Sequence, residues 1–339
     1  MRIVSAMTPL DAALAREAVE GPATPERHAD LAARAPALRE VELRPAPPAA
    51  PATRLRLAAW NLERCKALEP SAELLARAGV DIALLSEMDL GMARSGHRNT
   101  ARDLADALGG GYAFATEFVE LGIGNQSETL AHAGEANTHA LHGNAVVSRQ
   151  PFRNPAVIPL EAGGSWWALD WHHRRLGGRM ALAVTVDLVG LPVRLVSAHL
   201  ESLPGPGRRA NQVRHILDHV EATAGRGGPA VVAGDMNASE LPPLEGAGAG
   251  RPDWFVQPEI HEPLFDAMAE AGFGWLAANT PEPTRRTLAN GRPAPPFNRL
   301  DWFFVRGLEV MAPLVWPAVD AQGAPISDHE LITVDVAPA

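Results

Sequence analysis

Residues 180–200 read Met180-Ala-Leu-Ala-Val-Thr-Val-Asp-Leu-Val-Gly-Leu-Pro-Val-Arg-Leu-Val-Ser-Ala-His-Leu200. Two apolar, β-rich runs, 180–188 and 193–200, flank a short connection that contains Gly190 and Pro192. Runs of this kind on either side of a short Gly-containing connection predict a β-hairpin. A hairpin pairs its strands antiparallel, which argues against a pure βαβ arrangement of the Rossmann type.

The sequence around this hairpin is rich in further strands. From Leu55 onward, short apolar runs alternate with helical stretches. The predicted strands are 55–62, 81–88, 112–118, 143–149, 180–188, 193–200, 229–236, 301–306, 309–316 and 330–336, and the predicted helices are 71–79, 99–109, 208–223 and 262–272. Two β-rich halves that stack sheet on sheet, with helices outside, fit this order best. The sequence has no internal repeat, no G-x-G-x-x-G and no P-loop motif.

Residues 1–53 differ in pattern from the rest of the chain. Apolar residues at helical spacing between Leu10 and Leu38 give way to a Pro/Ala-rich stretch over 45–51. Such a stretch is typical of an extended linker. We therefore predict an N-terminal helical arm with a Pro/Ala-rich linker over 1–53, and one large domain over 54–339. Two alternatives stay open for the arm, which either packs on the domain or forms a loose tail.

Composition restricts the class of protein. The 339 residues are 46% hydrophobic and 21% charged, which is ordinary for a soluble globular protein with a sizeable core. The formal net charge is −10 at pH 7, and no block of Lys and Arg occurs, so the chain has no global attraction to a phosphate backbone. A local basic patch would still allow nucleic acid to bind.

Cysteine usage and hydropathy bear on the compartment. Cys65 is the only cysteine, so an intrachain disulfide is excluded, and the leading interpretation of its thiol is a buried bystander rather than a nucleophile. The N-terminus lacks the apolar run of a signal peptide, and no stretch of about 18 apolar residues occurs. We expect a cytoplasmic protein without stable membrane insertion. The sequence makes no prediction of oligomeric state.

Polar residues stand at the ends of the apolar strands, either after the strand or before it, and this pattern occurs six times. The residues are Asn61, Glu87, His199, Asp235 with Asn237, Asp301, and Asp328 with His329. A single case is explained by the preference of Asp and Asn for turns. Six cases indicate a site, because rigid strands direct side chains into the loop region at the edge of a sheet. A buried charge there needs a partner or a metal ion.

The residue types at these strand ends favour one kind of chemistry. Asn, Glu and Asp supply hard oxygen ligands, which suit Mg²⁺ or Mn²⁺, whereas zinc sites need clustered Cys and His, and the sequence has no such cluster. An imidazole beside carboxylates acts as a general acid or base near neutral pH. No G-x-S-x-G or other nucleophile motif is present. A water molecule positioned by a metal ion is then the expected nucleophile.

Seven short motifs, taken together and in this order, resemble the endonuclease/exonuclease/phosphatase superfamily over roughly residues 55–337. The motifs are Trp60-Asn61, Ser86-Glu87, Gly143-Asn144-Ala145-Val146, Ser197-Ala-His199-Leu200, Gly234-Asp-Met-Asn237, Leu300-Asp301-Trp302 and Ser327-Asp328-His329. That superfamily includes pancreatic-type deoxyribonucleases, apurinic endonucleases, neutral sphingomyelinases, inositol polyphosphate 5-phosphatases and deadenylases. The resemblance implies an α/β fold, a four-layer sandwich of two packed mixed β-sheets flanked by helices.

The resemblance also implies roles for these residues. Asn61 and Glu87 are implied to bind the catalytic metal, Mg²⁺ or Mn²⁺, with Asp328 as a further ligand or part of a second metal site. Asp301 is implied to orient His329, which contacts the scissile phosphate or activates water.

The other implied roles concern proton transfer and positioning. Asp235 is the other candidate base, and Asn237 positions phosphate or water. His199 stands where deoxyribonuclease-like members have a histidine that assists the leaving group. Apurinic endonucleases have tyrosine there, so His199 argues against that branch.

Other residues are candidates for substrate binding, each with a structural alternative. Asn144 either holds an active-site loop or touches substrate, and His142 is either a substrate contact or an ordinary loop histidine. The stretch from Asp89 to Arg94 resembles a bacterial subgroup, in which both residues contact phosphate; a surface turn is the alternative. Gln212 is expected to brace the loop after His199.

The aromatic and basic stretch Trp166–Arg175 has two interpretations. It forms either core aromatics beside a solvated hairpin, which is the favoured interpretation, or a stacking rim for nucleic acid.

The sequence as a whole predicts a metal-dependent hydrolase of phosphate esters. A nuclease or phosphodiesterase that uses metal-activated water with Asp/His acid–base catalysis ranks first, and its partner is a phosphate-ester substrate, nucleic acid included. A phosphatase or phosphodiesterase for small molecules or lipid headgroups, of the inositol phosphate or sphingomyelinase type, ranks second. A non-catalytic binding protein on the same fold ranks third, because every core motif position is filled. Substrate identity is a matter of loops rather than of the shared core.

Overall fold

The computed structural model describes residues 1–161, 164–167, 174–203, 205–244, 251–287 and 293–339, which form sixteen strands and eight α-helices. The strands are β1 (Arg2–Val4), β2 (Glu40–Arg44), β3 (Leu55–Arg64), β4 (Ile82–Leu90), β5 (Gly111–Glu120), β6 (Leu141–Ser148), β7 (Phe152–Pro159), β8 (Arg175–Gly177), β9 (Met180–Leu188), β10 (Leu191–His199), β11 (Ala230–Asp235), β12 (Arg285–Thr287), β13 (Pro293–Asn298), β14 (Asp301–Arg306), β15 (Leu308–Trp316) and β16 (Leu331–Pro338). The helices are α1 (Ala12–Glu20), α2 (Pro25–Arg34), α3 (Leu68–Arg77), α4 (Thr100–Leu108), α5 (Gln126–Ala131), α6 (Pro206–Ala224), α7 (Asp253–Val256) and α8 (Leu264–Glu270).

All ten predicted strands and all four predicted helices are present. The largest shift of an end is three residues, at the start of α3, which begins at Leu68 rather than at residue 71. The hairpin of β9 and β10 is confirmed, and its loop is shorter than predicted. Only Val189 and Gly190 connect the paired residues Leu188 and Leu191, and both have positive φ, as two-residue hairpin loops require.

Two mixed sheets make up the body of the fold. The larger has the order β1-β2-β5-β6-β4-β3-β16-β15, with β8 paired to β5, and the smaller has the order β14-β11-β10-β9-β7. In the larger sheet β1 and β2 are parallel, as are β3 and β4, and in the smaller sheet β10 and β11 are parallel. Strands β12 and β13 form a separate antiparallel ladder. The predicted two-sheet architecture is therefore confirmed.

The sheets are apolar on both faces because helices cover their outer sides. In β14, Phe303 and Val305 face the core between the sheets, whereas Trp302 and Phe304 face α6 to α8. In β4, Leu84 points between the sheets and Leu85 points toward α3 and α4. Alternate side chains of a strand point to opposite faces, so each central strand joins two hydrophobic cores. The result is the predicted order of four layers, helices, sheet, sheet and helices.

The N-terminal segment packs on the rest of the fold, which excludes the loose tail. Strand β2 pairs antiparallel with β5, and Val41 lies in the core between the sheets. Leu14 of α1 and Leu31 of α2 are buried on the outer face of the larger sheet. The division of the chain at residue 53 stays a prediction, and two strands that precede it belong to the larger sheet. None of the helices that the structure describes is long and apolar enough to cross a membrane.

Strand direction brings the polar strand ends to one edge. Strands β3, β4 and β5 run the same way, so their carboxyl ends meet the starts of the antiparallel strands β6 and β16. In the smaller sheet, β10 and β11 end where β9 and β14 begin. The two sheets stack with these edges together, and the candidate site lies there.

Candidate functional site

Irregularities in three neighbouring strands shape the larger sheet's part of the site. The pairing register shifts between Asn61 and Arg64 in β3, between Leu85 and Met88 in β4, and between Thr116 and Phe118 in β5. A bulge lets an extra residue turn its side chain out of the regular alternation. Glu87 is such a residue, with φ of 53°. Its carboxylate therefore leaves the apolar face on which Leu85 and Met88 lie.

The smaller sheet delivers its residues from regular strands. His199, Asp235 and Asp301 occupy adjacent register positions on β10, β11 and β14. All three are buried. Asn237 follows β11 with φ of 46°, and its backbone N–H donates to Asp235 Oδ1 at 2.9 Å. The Asn237 side chain donates to the Leu200 carbonyl at 2.9 Å, which fixes the loop around the site.

Hydrogen bonds fix the site residues of one sheet relative to those of the other sheet. Asn61 Nδ2 donates to Asp235 Oδ2 at 3.1 Å, and Ser197 Oγ donates to the Leu85 carbonyl at 3.1 Å. Ser327 Oγ donates to the Asn61 carbonyl at 2.6 Å, which positions the Asp328 turn. Buried polar groups need such partners, so these bonds constrain the sheets more than apolar packing alone.

A cavity of about 330 Å³ lies where these residues meet. The sequence-predicted residues that line it are Asn61, Glu87, His142, His199, Asp235, Asn237 and Asp328. His329 and Asp301 lie directly behind Asp235, since His329 Nε2 is 3.6 Å from Asp235 Oδ2. Two predicted residues, Arg94 and Asn144, are buried outside its lining.

His329 is held by two carboxylates. Its Nδ1 lies 2.8 Å from Asp301 Oδ2. Burial opposes the charged form, but the charges of Asp301 and Asp235 outweigh it and raise the pKa of His329 to about 10. Burial also raises the pKa of Asp301, with His329 opposing. The raised pKa favours the imidazolium form at neutral pH, and its Nε2 lies 3.6 Å from Asp235 Oδ2 and 3.3 Å from Arg285 Nη1.

His199 stands on the other side of Asp235. Its Nε2 lies 3.6 Å from Asp235 Oδ2, and its Nδ1 lies 3.6 Å from Glu117 Oε2. Arg179 Nη1 is 2.9 Å from Nδ1 and 3.1 Å from Nε2, so the guanidinium lies near the ring face rather than on one nitrogen. Asp235 thus separates two imidazoles, which lower its pKa although burial raises it.

The three predicted metal ligands face the cavity with oxygen donors. Asp328 Oδ1 is buried and has no hydrogen-bond partner among the described residues, while Oδ2 lies 3.2 Å from Arg285 Nη2. Glu87 Oε1 accepts a bond from Asn61 Nδ2 at 3.3 Å. The Asn61 amide oxygen accepts the Glu63 N–H at 3.1 Å, so it becomes a ligand at this place only if the amide rotates by 180°. This oxygen-only set suits a hard cation.

A second group also has the spacing of metal ligands, within the described part of the chain. One atom from each of Asp235, Asp301 and His329 lies within 4.8 Å of the others. We favour the set of Asn61, Glu87 and Asp328, because His329 is protonated at neutral pH and its Nδ1 already binds Asp301. A metal-bound imidazole must be neutral at the ligating nitrogen.

The Asp89–Arg94 stretch lies behind His142 instead of lining the cavity. His142 Nδ1 is 2.7 Å from Asp89 Oδ1, and these residues are opposite each other on β4 and β6. Arg94 binds Asp89 through Nε at 2.8 Å and Nη2 at 2.9 Å, and its side chain is fully buried. The alternative of a surface turn is wrong. Contact of Arg94 with a phosphate stays a prediction, because Arg94 lies behind residues that line the cavity, such as His142.

Two other predicted residues have structural contacts. Asn144 is buried and donates to the Met180 carbonyl at 2.9 Å, so it fixes the start of β9 beneath the cavity. Gln212 accepts the Glu201 N–H at 2.8 Å, which confirms the expected brace after His199.

Burial raises the pKa of the Cys65 thiol to about 12, which confirms a buried bystander.

Only part of the aromatic and basic stretch lies within the described residues. Trp167 is buried in the outer core, whereas Trp166 lines the cavity. The guanidinium carbons of Arg175 and Arg179 lie 4.8 and 5.4 Å from the centre of the Trp166 ring. Residues 168–173, including Trp171, lie outside the described residues. A base that stacks on Trp166 would meet these two arginines.

Four charged residues of the site were missed by sequence reasoning. They are Arg64, Glu117, Arg179 and Arg285. Glu117 lies at the end of a predicted strand, and Arg179 directly precedes one. The rule that identified the other site residues, a polar residue at a strand end, would have identified both. Arg64 is the last residue of β3 and lies just past a bulge that the sequence pattern does not indicate.

Comparison with known proteins agrees with this geometry. The chain is 22% identical to an endonuclease/exonuclease/phosphatase from Beutenbergia cavernae, with 85% of this chain and 72% of that chain covered and a TM-score of 0.55. The human Nocturnin catalytic domain with bound sulfate anion is 19% identical, with coverage of 85% and 94% and a TM-score of 0.54. At these identities the likeness shows the fold. No curated protein matches the chain significantly.

The family itself is identified from sequence. The sequence model of the Endonuclease/Exonuclease/phosphatase family matches residues 58–329, which include every strand-end residue described above. Members of this family are generally divalent-metal-dependent hydrolases of phosphate esters. By this match and by its two-sheet fold, the chain belongs to the Endonuclease/Exonuclease/phosphatase family.

Proposed function

We propose that this protein hydrolyses phosphate esters with a divalent cation, Mg²⁺ or Mn²⁺, and acts as a phosphodiesterase or nuclease. One observation carries the proposal: the candidate ligands Asn61, Glu87 and Asp328 line one cavity with Asp235, which lies between the imidazoles of His199 and His329. The residues Asn61, Glu87 and Asp328 would hold the cation. The orphaned Asp328 Oδ1 is an observation in favour of this fit. A bound cation supplies positive charge that stabilises the negative charge developing on the phosphate.

The remaining steps use side chains of the chain itself. Among the described carboxylates that line the cavity, Asp235 is the one paired with imidazoles rather than with an arginine, and it accepts the proton of the attacking water. Asn237 holds Asp235 through its backbone N–H, so the carboxylate is oriented before substrate binds. His329, held at Nδ1 by Asp301, supplies positive charge behind Asp235 that stabilises the negative charge of the phosphate. His199 gives a proton to the leaving oxygen on the opposite side.

The size of the cavity supports a second candidate function. A cavity of about 330 Å³ is at the lower end of the range for ligand pockets, roughly 300–1,000 Å³. Trp166, the aromatic ring that lines it, is already covered by Arg175 and Arg179. Both observations favour a compact ester, or the end of a nucleic-acid strand, over the middle of a nucleic-acid duplex. A phosphoesterase for small molecules or lipid headgroups is therefore the second candidate.

The test is a substrate panel with one batch of enzyme in Mg²⁺ and in Mn²⁺. The panel contains plasmid, single-stranded DNA, RNA, a generic aryl phosphodiester, sphingomyelin and inositol phosphates. We expect hydrolysis that needs the added cation and disappears with EDTA. Glu87→Gln should reduce kcat by orders of magnitude and leave the fold intact, because it removes one charge of the cation site.

The outcomes separate the candidates. Full activity in metal-free buffer would exclude the mechanism. No hydrolysis of any ester would favour a binding protein on the same fold. A kcat/KM for a non-nucleotide ester above every value for nucleic acid would place the small-molecule function first.

A further inference from the structure

Arg64 occupies an unusual backbone conformation at the rim of the cavity. Glu63, Arg64 and Cys65 have φ of 45°, 68° and 52°, so three consecutive non-glycine residues lie in the left-handed region. Each such residue costs on the order of 1 kcal/mol or more, and strain of this kind concentrates at functional sites. The conformation turns the Arg64 side chain into the cavity lining. The strain therefore calls for a function of Arg64 at this site.

The guanidinium of Arg64 lies between two carboxylates. Its Nη1 donates to Glu87 Oε2 at 2.9 Å, and its Nε lies 3.3 Å from Glu128 Oε1. Glu87 is a candidate cation ligand, whereas Glu128 lies in the first turn of α5 and caps that helix through Oε2. Glu128 Oε1 has no hydrogen-bond partner within the described ranges. A second acceptor is thus within reach if Arg64 leaves Glu87.

A divalent cation and the guanidinium compete for Glu87. The Glu87 oxygens are occupied by Asn61 Nδ2 and by Arg64 Nη1. A cation that binds this carboxylate has to displace the guanidinium or accept a like charge a few Å away, and both reduce its affinity. Once displaced, Arg64 still lines the cavity and offers its N–H groups to an oxyanion.

We propose that Arg64 is a ligand of the substrate phosphate that remains on Glu87 until a divalent cation takes that carboxylate. Cation binding then makes Arg64 available, so phosphate binds more tightly to the cation-loaded protein than the cation's own charge would provide. This inference rests on the proposed function, because it takes Glu87 as a cation ligand. The competing interpretation is a fixed Arg64–Glu87 pair with a purely structural role.

The two interpretations differ in how Arg64→Gln changes binding in the absence of turnover. Calorimetric titration with Mn²⁺ gives the cation affinity, and titration with inorganic phosphate, with and without Mn²⁺, gives the anion affinity. We expect Arg64→Gln to bind Mn²⁺ about 3- to 10-fold more tightly, since the competitor is gone. We also expect it to bind phosphate about 5- to 20-fold more weakly, with Mn²⁺ present only.

Two matched variants control for charge and folding. Lys66→Gln removes a cation from the same segment, one that contacts Glu63 and Glu128 but not Glu87, and should change neither affinity. Arg64→Lys keeps the charge but loses the planar fork, and should bind Mn²⁺ as the wild type does and phosphate more weakly. It also serves as the informative variant if Arg64→Gln does not fold.

Each outcome has one meaning. Unchanged Mn²⁺ affinity in Arg64→Gln, with strong loss in Glu87→Gln, would overturn this inference and leave the proposed function standing. Loss of phosphate affinity in Arg64→Gln without Mn²⁺ would overturn it as well, because Arg64 would then bind anions while on Glu87. No Mn²⁺ binding by the wild type, or none lost in Glu87→Gln, would overturn both.

Discussion

The carboxylates of the larger sheet and those of the smaller sheet have different partners. In the larger sheet every carboxylate near the site faces an arginine. The pairs are Glu87–Arg64 at 2.9 Å, Asp89–Arg94 at 2.8 Å, Glu117–Arg179 at 2.7 Å and Glu120–Arg175 at 3.1 Å. In the smaller sheet Asp235 and Asp301 face the imidazoles of His199 and His329. One edge of the molecule thus combines two kinds of charge pair.

The pKa values follow this division in part. Burial alone would raise the pKa of Glu87, Asp89, Glu117 and Glu120, but the arginine and histidine charges around them together lower all four, that of Glu117 to about 2. In the smaller sheet burial prevails at Asp301 and raises its pKa, whereas the two imidazoles lower the pKa of Asp235. An arginine keeps its proton at any relevant pH, whereas an imidazole exchanges one.

The larger-sheet set carries fixed charges, whereas the smaller-sheet set carries groups that exchange protons. The larger sheet provides carboxylates that stay ionised, as a cation site needs. The smaller sheet provides carboxylates whose partners give and take protons, as acid–base catalysis needs. Mutations in the smaller-sheet set should therefore act mainly on turnover, and mutations in the larger-sheet set that lie away from the cavity should act mainly on stability.

The largest effect is expected at the imidazoles of the smaller-sheet set. His329→Ala and His199→Ala should each reduce kcat on the order of 10²- to 10⁴-fold, the range for a positioned acid, base or donor. Rates on the best substrate of the panel, with saturating cation, measure this effect. Near wild-type turnover in both variants would mean that the site assignment is wrong.

The next effect is expected at the buried arginine of the larger-sheet set. Arg94→Met should cost about 3–5 kcal/mol of unfolding free energy, because it leaves the buried Asp89 without its ionic partner. Urea denaturation measures the loss. The matched control is Arg98→Met, which breaks an exposed pair with Glu69 and should cost less than about 1 kcal/mol. Equal losses in the two variants would show that burial of the pair has no influence.

Much of the difference between the two sheets could be predicted from the sequence. Ten strands of the two sheets follow from apolar runs, and residues such as Asp235 and Asp301 stand at their ends. Regular strands make such predictions reliable, because position along the strand fixes which face a side chain takes.

The site residues on the bulged strands of the larger sheet were harder to predict from the sequence. A bulge in β3 precedes Arg64, which lines the cavity, and one in β5 places Glu117 beside His199, yet neither bulge has a sequence signal as clear as glycine or proline. Arginine partners such as Arg179 were also missed because ion pairs such as Glu117–Arg179 join residues that are distant in sequence. A single sequence does not show which strands are neighbours.

The N-terminal strands show the same limit. Strand β2 reads Glu40-Val-Glu-Leu-Arg44, with charged residues alternating with apolar ones, as in a solvent-exposed edge. In the structure Glu42 is buried and accepts the Met7 N–H at 2.8 Å and a bond from Asn99 Nδ2 at 2.6 Å. These partners are distant in sequence, so the alternation alone suggests a surface strand. The pairing with β5 follows only from the tertiary structure.

The smallest effect concerns pH and contrasts the two sets directly. The pKa of His329 is raised to about 10 in the folded protein, against about 6.5 when unfolded, so its pairing stabilises the fold fully below pH 6.5 and loses this effect as pH rises through 10. In EDTA, the wild type should exceed His329→Gln in unfolding free energy by roughly 1–3 kcal/mol at pH 6, and the difference should shrink toward pH 10. The loss in Arg94→Met should stay constant over the same range, because the lowered pKa of Asp89 places its titration at acidic pH. Urea denaturation of the three proteins at pH 6, 8 and 10 measures both trends. A constant difference for His329→Gln would remove the distinction between mobile protons and fixed charge, since His329 would then behave like an arginine.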